Sequence, residues 1–423
     1  MIPILKIRNA PETVKQKLTK KHFKDLHLID EILSLDDNRK NLQKQLDDTL
    51  AEVNIISKEV GQFFKEGKTK EANDAKERSM SLKSKTDLLT QSLREVEDKI
   101  VSIHVQMPNL PHDSVPEGRV AEDNKTVRSW GEMPKLPEGS LPHWDLAKKY
   151  QLFDLDLGVK LTGAGFPVFR GKGAKLERAL IAFFLDENTK AGYTEIIPPL
   201  MVNEESAYAT GQLPDKEGQM YVIQEERPFF MIPTSEVPVT NIYRDTVLSV
   251  QDLPQKLTAF SQCFRREAGS YGKDVRGLNR VHQFDKVEIV QLQHPEKSYQ
   301  ALEEMTAHVE GLLQKLGLHY RVLHLCGGDM SFASAMTYDL EVYSAAQERW
   351  LEVSSVSNFE DFQTNRLKAR FKDENGKMQL CHSLNGSSLA LPRIFAALLE
   401  NNQSEKGIKI PDVLVPYTGF DYI

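Results

Sequence analysis

Cysteine is scarce: the 423-residue sequence holds three, Cys263, Cys326 and Cys381, far apart and without a CxxC pair. Neither a disulfide framework nor a thiolate zinc site is indicated, and a reducing compartment fits. Long apolar runs are missing too. None approaches the roughly 18 residues of a membrane-spanning helix, and the opening MIPILKIRNAPE meets proline and charge too early for a signal peptide. A cytoplasmic protein is expected. Positive charge is not in excess: a formal net charge of −7 argues against a chain that coats nucleic acid by displacing counterions, so contact with nucleic acid must be local. What is present, 40% hydrophobic and 27% charged residues, is the composition of an ordinary globular protein. Its length predicts two or three domains, at about 100 to 200 residues each.

Two basic runs stand out. Lys15, Lys17, Lys20, Lys21 and Lys24 lie near the start, and Lys65, Lys68, Lys70, Lys76, Arg78, Lys83 and Lys85 follow later. Each fits a solvated helix face. Around the second run the apolar positions keep a rhythm of fours and threes: Leu42, Leu46, Thr49, Val53, Ile56, Val60, Phe63, then Leu82, Thr86, Leu89, Leu93, Val96, Ile100, Ile103. That is a heptad seam. Only Lys65-Glu66-Gly67-Lys68 breaks the pattern, so the spacing predicts two helices folded back antiparallel into an arm on the order of 50 Å long. Such heptads serve dimerisation or, with basic residues beside the tip, contact with an extended polyanion.

Pro108, Pro111, Pro116, Pro134, Pro137 and Pro142 mark a linker at residues 106–145, between an N-terminal unit of 1–105 and a larger unit of 146–423. In the larger unit, helical stretches at 173–191 and 295–316 accompany strand-like runs at 259–264, 281–292, 318–325 and 349–356. The runs are joined by hairpin-like loops, which predicts an α+β fold with an antiparallel sheet flanked by helices. Some apparent motifs carry no chemistry. Gly163-Ala164-Gly165 completes no GxGxxG, and Arg170-Gly171-Lys172-Gly173 lacks the ending of a phosphate loop and reads as a turn before a helix. His319, His324 and Cys326 lack a nearby fourth ligand and are expected to pack in the core.

The informative stretch is FSQCFRREAGSYGKDVRGLNRVHQFDKVEIVQL, residues 260–292, read as strand, glycine-rich charged loop, strand. Alternation places Arg265 with Glu267 on one face, and Phe284 with Glu288 on another. A guanidinium suits a phosphate, a carboxylate accepts from an exocyclic amine, and a phenyl ring stacks on a base. The same residues also fit an exposed charged hairpin.

FRREAG followed by RGLNRVHQFDKVE resembles motif 2 of class II aminoacyl-tRNA synthetases in its seryl form. IPTSEVPVTN (232–241) is similar to the segment lining the amino-acid pocket, LEVSSVSNFEDFQTNRLKAR (351–370) to the metal-binding strand, and HSLNGSSLALPRIFAALLEN (382–401) to motif 3. ALIAFFLDENTKAGYTEIIPPLMV resembles motif 1, the helix, strand and proline of the dimer interface. The segments cover almost the whole chain in the order seen in seryl-tRNA synthetases. The resemblance implies a six- or seven-stranded antiparallel sheet flanked by helices, usually in a homodimer, and an N-terminal two-helix coiled-coil arm that grips the long variable arm of its tRNA. It also implies activation of L-serine with ATP and Mg²⁺, and transfer to tRNA(Ser), with tRNA(Sec) as a second candidate.

Roles carry over residue by residue. The resemblance assigns ATP to Arg265, Arg266, Glu267, Arg280, Val281, Phe284, Glu352, Val353, Ser354, Ser355 and Arg393. Arg265 would bridge the α-phosphate and the serine carboxylate, Glu267 would meet the adenine amine, and Phe284 would stack on the ring. Arg393 would hold the γ-phosphate, with Arg280 helping at the far end. Glu352 and Ser355 would hold Mg²⁺; strict alternation puts them on opposite faces, so a bulge or strand end must intervene. Serine would meet Thr234, Ser235, Glu236, Arg265, Glu288, Asn385 and Ser387, with Glu288 at its ammonium or its hydroxyl. The tRNA would meet Lys68, Lys70, Lys76, Arg78 and Lys83. Ser388 and Pro392 stand where the family often has glycine, and Arg266 replaces a commoner small residue. Threonyl and prolyl synthetases share the TSE and FRxE features but usually add a C-terminal anticodon-binding domain, whereas about thirty residues follow Arg393. Amino-acid ligases that load carrier proteins lack the arm, and an inactive RNA-binding relative would not need Arg265, Glu267, Glu288, Glu352 and Arg393 together.

Overall fold

A computed structural model of the protein describes residues 1–268 and 276–423. Most of the glycine-rich loop expected in motif 2, at 269–275, lies outside the described residues. The chain forms two compact units, one of residues 2–19 and 23–108, the other of residues 1, 20–22 and 109–423.

The smaller unit is dominated by α1 (His27–Lys65) and α2 (Thr69–His104), which pack along each other for 39 and 36 residues. At 1.5 Å per residue that is about 55 Å. Every expected seam position is buried or half-buried, and Gly67 turns the chain between the helices at φ +71°. Ala72, Ala75 and Ser79 continue the seam of α2 towards the turn in the same rhythm. On α1 a buried carboxylate, Asp36, pairs with Arg8, with Arg39 at 3.0 Å and with Lys40 at 3.3 Å. A charge removed from water in this way needs such partners.

The larger unit is built on one eight-stranded sheet. Its strands are β1 (Lys125–Trp130), β2 (Thr194–Ile196), β3 (Gln255–Phe264), β4 (Gln283–Gln293), β5 (Tyr320–His324), β6 (Met336–Ser344), β7 (Arg349–Glu360) and β8 (His382–Ala390). They lie in the order β1-β5-β6-β7-β8-β4-β3-β2, antiparallel except where β2 runs parallel to β3. The sheet thus exceeds the expected six or seven strands. The surplus includes β1, which comes from residues 106–145, expected as a linker. Its six residues are all exposed, and prolines flank the run without interrupting it, so it can pair along one edge. Asn109, near the start of the same stretch, donates to the carbonyls of Ala333 at 2.9 Å and Phe359 at 2.8 Å.

Three helices, α3 (Gly171–Lys190), α5 (Ser298–Lys315) and α6 (Leu391–Asn401), pack on the sheet and share its main core. The short α4 (Glu236–Asn241) packs against β4 as well. Strand phase divides β4 between two environments. Val287 and Ile289 enter the core with residues of α3, α5 and α6, and alternation turns Phe284, Lys286 and Glu288 to the opposite face, although the half-buried Phe284 still packs against that core.

Lys21 departs from the solvated face expected of its run. Its ammonium donates to the carbonyls of Ser331 and Ser334, both at 2.7 Å, and burial pushes its pKa down to about 7. Gly165 has φ +82°, and a Cβ there would lie 2.3 Å from the His282 ring, so this glycine serves close packing. The three cysteines are free and buried, and no helix among the described residues is long and apolar enough to cross a membrane.

Candidate active site

Contacts around Arg265, Arg280, Glu352 and Arg393 link residues from distant segments of the chain. Arg265 follows the last residue of β3; its guanidinium lies 5.3 Å from the centre of the Phe284 ring, and its Nε donates to the Pro233 carbonyl at 3.3 Å. Two residues on, Glu267 adopts the left-handed conformation, φ +48°, which is uncommon for a residue with a Cβ. Its carboxylate accepts from Arg280 at 3.0 Å. Arg393, near the start of α6, donates from Nε to the Asn279 carbonyl at 3.1 Å and from Nη1 to the Glu352 carbonyl at 2.7 Å. Two main-chain acceptors therefore hold the guanidinium in place. The Glu352 carboxylate lies 3.6 Å from the same nitrogen.

The bulge required between Glu352 and Ser355 is present. In the β6–β7 ladder Glu341 pairs with Glu352 and Leu340 with Ser354, so Val353 is the extra residue. The shift brings Glu352 and Ser355 to one face, while Val353 is buried. Asp339, directly opposite Ser355, joins them. Burial, with the Glu352 charge nearby, pushes the Asp339 carboxyl well above its usual range, and its Oδ1 is buried without a hydrogen-bond partner among the described residues. Carboxylate and hydroxyl oxygens are the donors a hard cation such as Mg²⁺ takes. No group of three His, Cys, Asp or Glu side chains with metal-holding geometry occurs among the described residues. The fit is thus to an ion that completes its shell with ligand oxygens.

A second polar cluster lies farther along β4. Lys286, 5% exposed, pairs with Glu288, 2% exposed, and donates to Thr234 Oγ1 at 2.7 Å. Thr234 in turn donates to Glu288 at 3.0 Å. Glu236 accepts from Gln363 at 2.6 Å, and burial together with the Glu288 charge pushes its carboxyl up to about 7. Ser387 lies directly across the ladder from Glu288. Asn385, two residues earlier on β8, has a buried Nδ2 without a hydrogen bond of good geometry among the described residues.

Several expected site residues offer less than their side chains suggest. Ser235 is fully buried, with its hydroxyl 2.5 Å from that of Ser261, and Ser354 donates to the Ser387 carbonyl at 2.6 Å. Val281 and Val353 belong to the core, which leaves only their main chain for a ligand. Arg266 is exposed. Ser388, a departure from the family pattern, donates to Asn188 at 2.8 Å, and Pro392 occupies the first turn of α6, where proline is tolerated. Lys68, Lys70, Lys76, Arg78 and Lys83 are exposed, Lys68 just before α2 and the others spread along the N-terminal half of that helix; Lys68 donates to Glu66 at 2.8 Å.

Residues 220–402 match the family model for the tRNA synthetase class II core domain (G, H, P, S and T), and residues 1–111 match the seryl-tRNA synthetase N-terminal domain. A serine–tRNA ligase of Salinibacter ruber is 48% identical over 422 residues, covering 99% of this chain and 98% of its own. The chain belongs to the seryl-tRNA synthetase family. Another family member, the serine–tRNA ligase of Akkermansia muciniphila, is 45% identical, covering 100% of this chain and 99% of its own. Among solved structures, the seryl-tRNA synthetase from Pyrococcus horikoshii complexed with ATP aligns with a TM-score of 0.90 at 33% identity, covering 100% of this chain and 99% of that one. The family's α+β fold, with a helical arm and a largely antiparallel sheet, is the fold found here.

Lys286, Gln363 and Asp339 were not among the residues expected from sequence. Only Lys286 carried a usable signal, standing two residues from both Phe284 and Glu288 and hence on their face.

Proposed function

We propose that this chain activates L-serine with ATP to seryl-adenylate and transfers the seryl group to the 3′ end of tRNA(Ser). The observation that carries the reading is convergence: a stacked Arg265–Phe284 pair adjoins, through Pro233 and Thr234, a buried Thr234–Lys286–Glu288 cluster. In this reading the first pair receives the nucleotide and the second cluster the amino acid, so that the serine carboxylate faces the α-phosphate.

Arg265 holds the serine carboxylate and the α-phosphate together, so that the carboxylate oxygen attacks phosphorus in line with departing pyrophosphate. Positioning and charge neutralisation supply most of the rate. Phe284 stacks on adenine, Glu267 accepts from its amine, and Arg393 and Arg280 receive the outer phosphates. Glu352 and Ser355, with Asp339 on the same face, would hold Mg²⁺, which would supply positive charge to offset that of the phosphates. In the second half-reaction a ribose hydroxyl of the tRNA terminus attacks the seryl carbonyl and AMP leaves. Thr234, Glu236, Glu288, Asn385 and Ser387 surround the amino acid. A pocket built to pair a hydroxyl rejects alanine, which would strand its polar groups.

The remaining assignments extend this reading. Residues 1–105 serve as the tRNA-binding domain and 146–423 as the catalytic domain, while 106–145 connect them and also add β1 to the edge of the catalytic sheet; Lys68, Lys70, Lys76, Arg78 and Lys83 meet the long variable arm. tRNA(Sec) is a second acceptor, the enzyme is a cytoplasmic homodimer, and Ile197, 91% exposed within the motif 1 segment, belongs to the dimer contact. The primary test is pyrophosphate exchange into ATP across several amino acids. Serine should support exchange, and no exchange with serine, or faster exchange with threonine, rejects the assignment.

A further inference from the structure

Lys286 is a buried side chain among the residues proposed above to surround the amino acid, and it has no substrate contact in that reading. Its ammonium reaches two groups from different segments, Glu288 on its own strand and Thr234 at 2.7 Å. Thr234 Oγ1 also accepts the main-chain N–H of Glu236 at 3.2 Å. With two donors already aimed at that oxygen, the hydroxyl proton is directed to Glu288 Oε2 at 3.0 Å. The contact from Lys286 also falls on Oε2, so Oε1 is the oxygen left to meet a ligand.

The consequence is electrostatic as well as geometric. A carboxylate 2% exposed needs a cation or several donors as partners. Lys286 provides that charge and pins one oxygen. We infer that Lys286 is a positioning residue that sets amino-acid selectivity, holding Glu288 as an oriented carboxylate with one oxygen free for the substrate's hydroxyl. This rests on the reading of the pocket as the serine site. It adds that selectivity depends on a residue that reaches the substrate only through Glu288.

The test uses the full-length enzyme carrying K286M, K286R, E288Q or K286M/E288Q. Pyrophosphate exchange is measured with serine, alanine and threonine, and KM for serine and ATP is determined separately. K286M should raise the serine KM by about tenfold or more and narrow the preference for serine over alanine by a similar factor. The ATP KM should stay within about twofold. K286R, which keeps the charge, should recover most of the loss. Because Lys286 acts through Glu288, the double variant should be no worse than E288Q alone. It also removes both charges of the buried pair, so it folds even where K286M alone is unstable. Losses that multiply in the double variant, or a K286M enzyme whose ATP and serine KM rise alike, would overturn the inference. Should E288Q leave the serine KM unchanged, the pocket itself has been misread. An impaired E288Q beside a normal K286M rejects the role of Lys286 alone.

Discussion

Glu236 gives the fold a pH dependence that a single substitution should remove. The residue opens α4, is 9% exposed, and has its carboxyl pushed by burial, and secondarily by the Glu288 charge, from an ordinary 4.5 to about 7. That displacement corresponds to about 3 kcal/mol. The folded chain holds this proton more tightly than the unfolded chain. Its contribution to stability is therefore complete below about pH 4.5 and declines as pH rises to about 7, beyond which it is lost. Glu236→Gln has no proton to lose, and its amide oxygen can still accept from Gln363. Urea unfolding without serine, at half-unit steps from pH 5 to 8, should show the parent losing stability with pH while the variant stays level in this respect. The gap between them should change by about 2 to 3 kcal/mol across the range. A gap independent of pH would refute the reasoning. Serine should pull the equilibrium the other way, because its ammonium favours the ionised carboxylate. Binding near pH 6 should then release a proton, seen by calorimetry in two buffers of different ionisation heat, and E236Q should bind serine weakly with no such release.

Other consequences can be checked directly. Arg393→Ala should lower serine-dependent exchange by about a hundredfold or more, as loss of an oriented charge-stabilising donor does; a decrease below about fivefold would remove Arg393 from the phosphate site. Deleting residues 28–104 should leave exchange largely intact and abolish tRNA charging, and equal charging by the shortened enzyme would refute the role of the arm. Replacing Lys70, Lys76 and Arg78 together should weaken tRNA binding and flatten its salt dependence by about 0.9 for each phosphate no longer neutralised. An unaltered slope would place the tRNA interface elsewhere.

The parts of this molecule legible in the sequence are those governed by a period or a long local string. Leu46, Ile56, Leu89 and Leu93 announced the arm because a heptad repeats its own evidence. Ala72, Ala75 and Ser79 continue the same seam, but small side chains carry little apolar signal. β1 was hidden because an edge strand with both faces exposed has no alternation to read. Glu352 and Ser355 revealed that a bulge was needed, whereas its position at Val353 came only from the register with β6. Asp339 and Gln363 could not be found by spacing, since each meets its partner through pairing or packing of remote segments. Lys21 looked solvated because its acceptors, the carbonyls of Ser331 and Ser334, stand some three hundred residues away.

The change in side-chain size along the helical hairpin has a mechanical consequence. Near its base, leucines and isoleucines of both helices meet, while beyond Leu82 α2 offers only alanine and serine to its neighbour. Each turn towards the end buries less apolar area, so each is easier to separate. Amide exchange should be slowest around Leu46 and Leu93 and quicken steadily towards Gly67. In the tRNA-binding role proposed for it, a helical pair that is stiff along its leucine seam and compliant at its tip would adjust to an irregular polynucleotide without transmitting the strain back along its length.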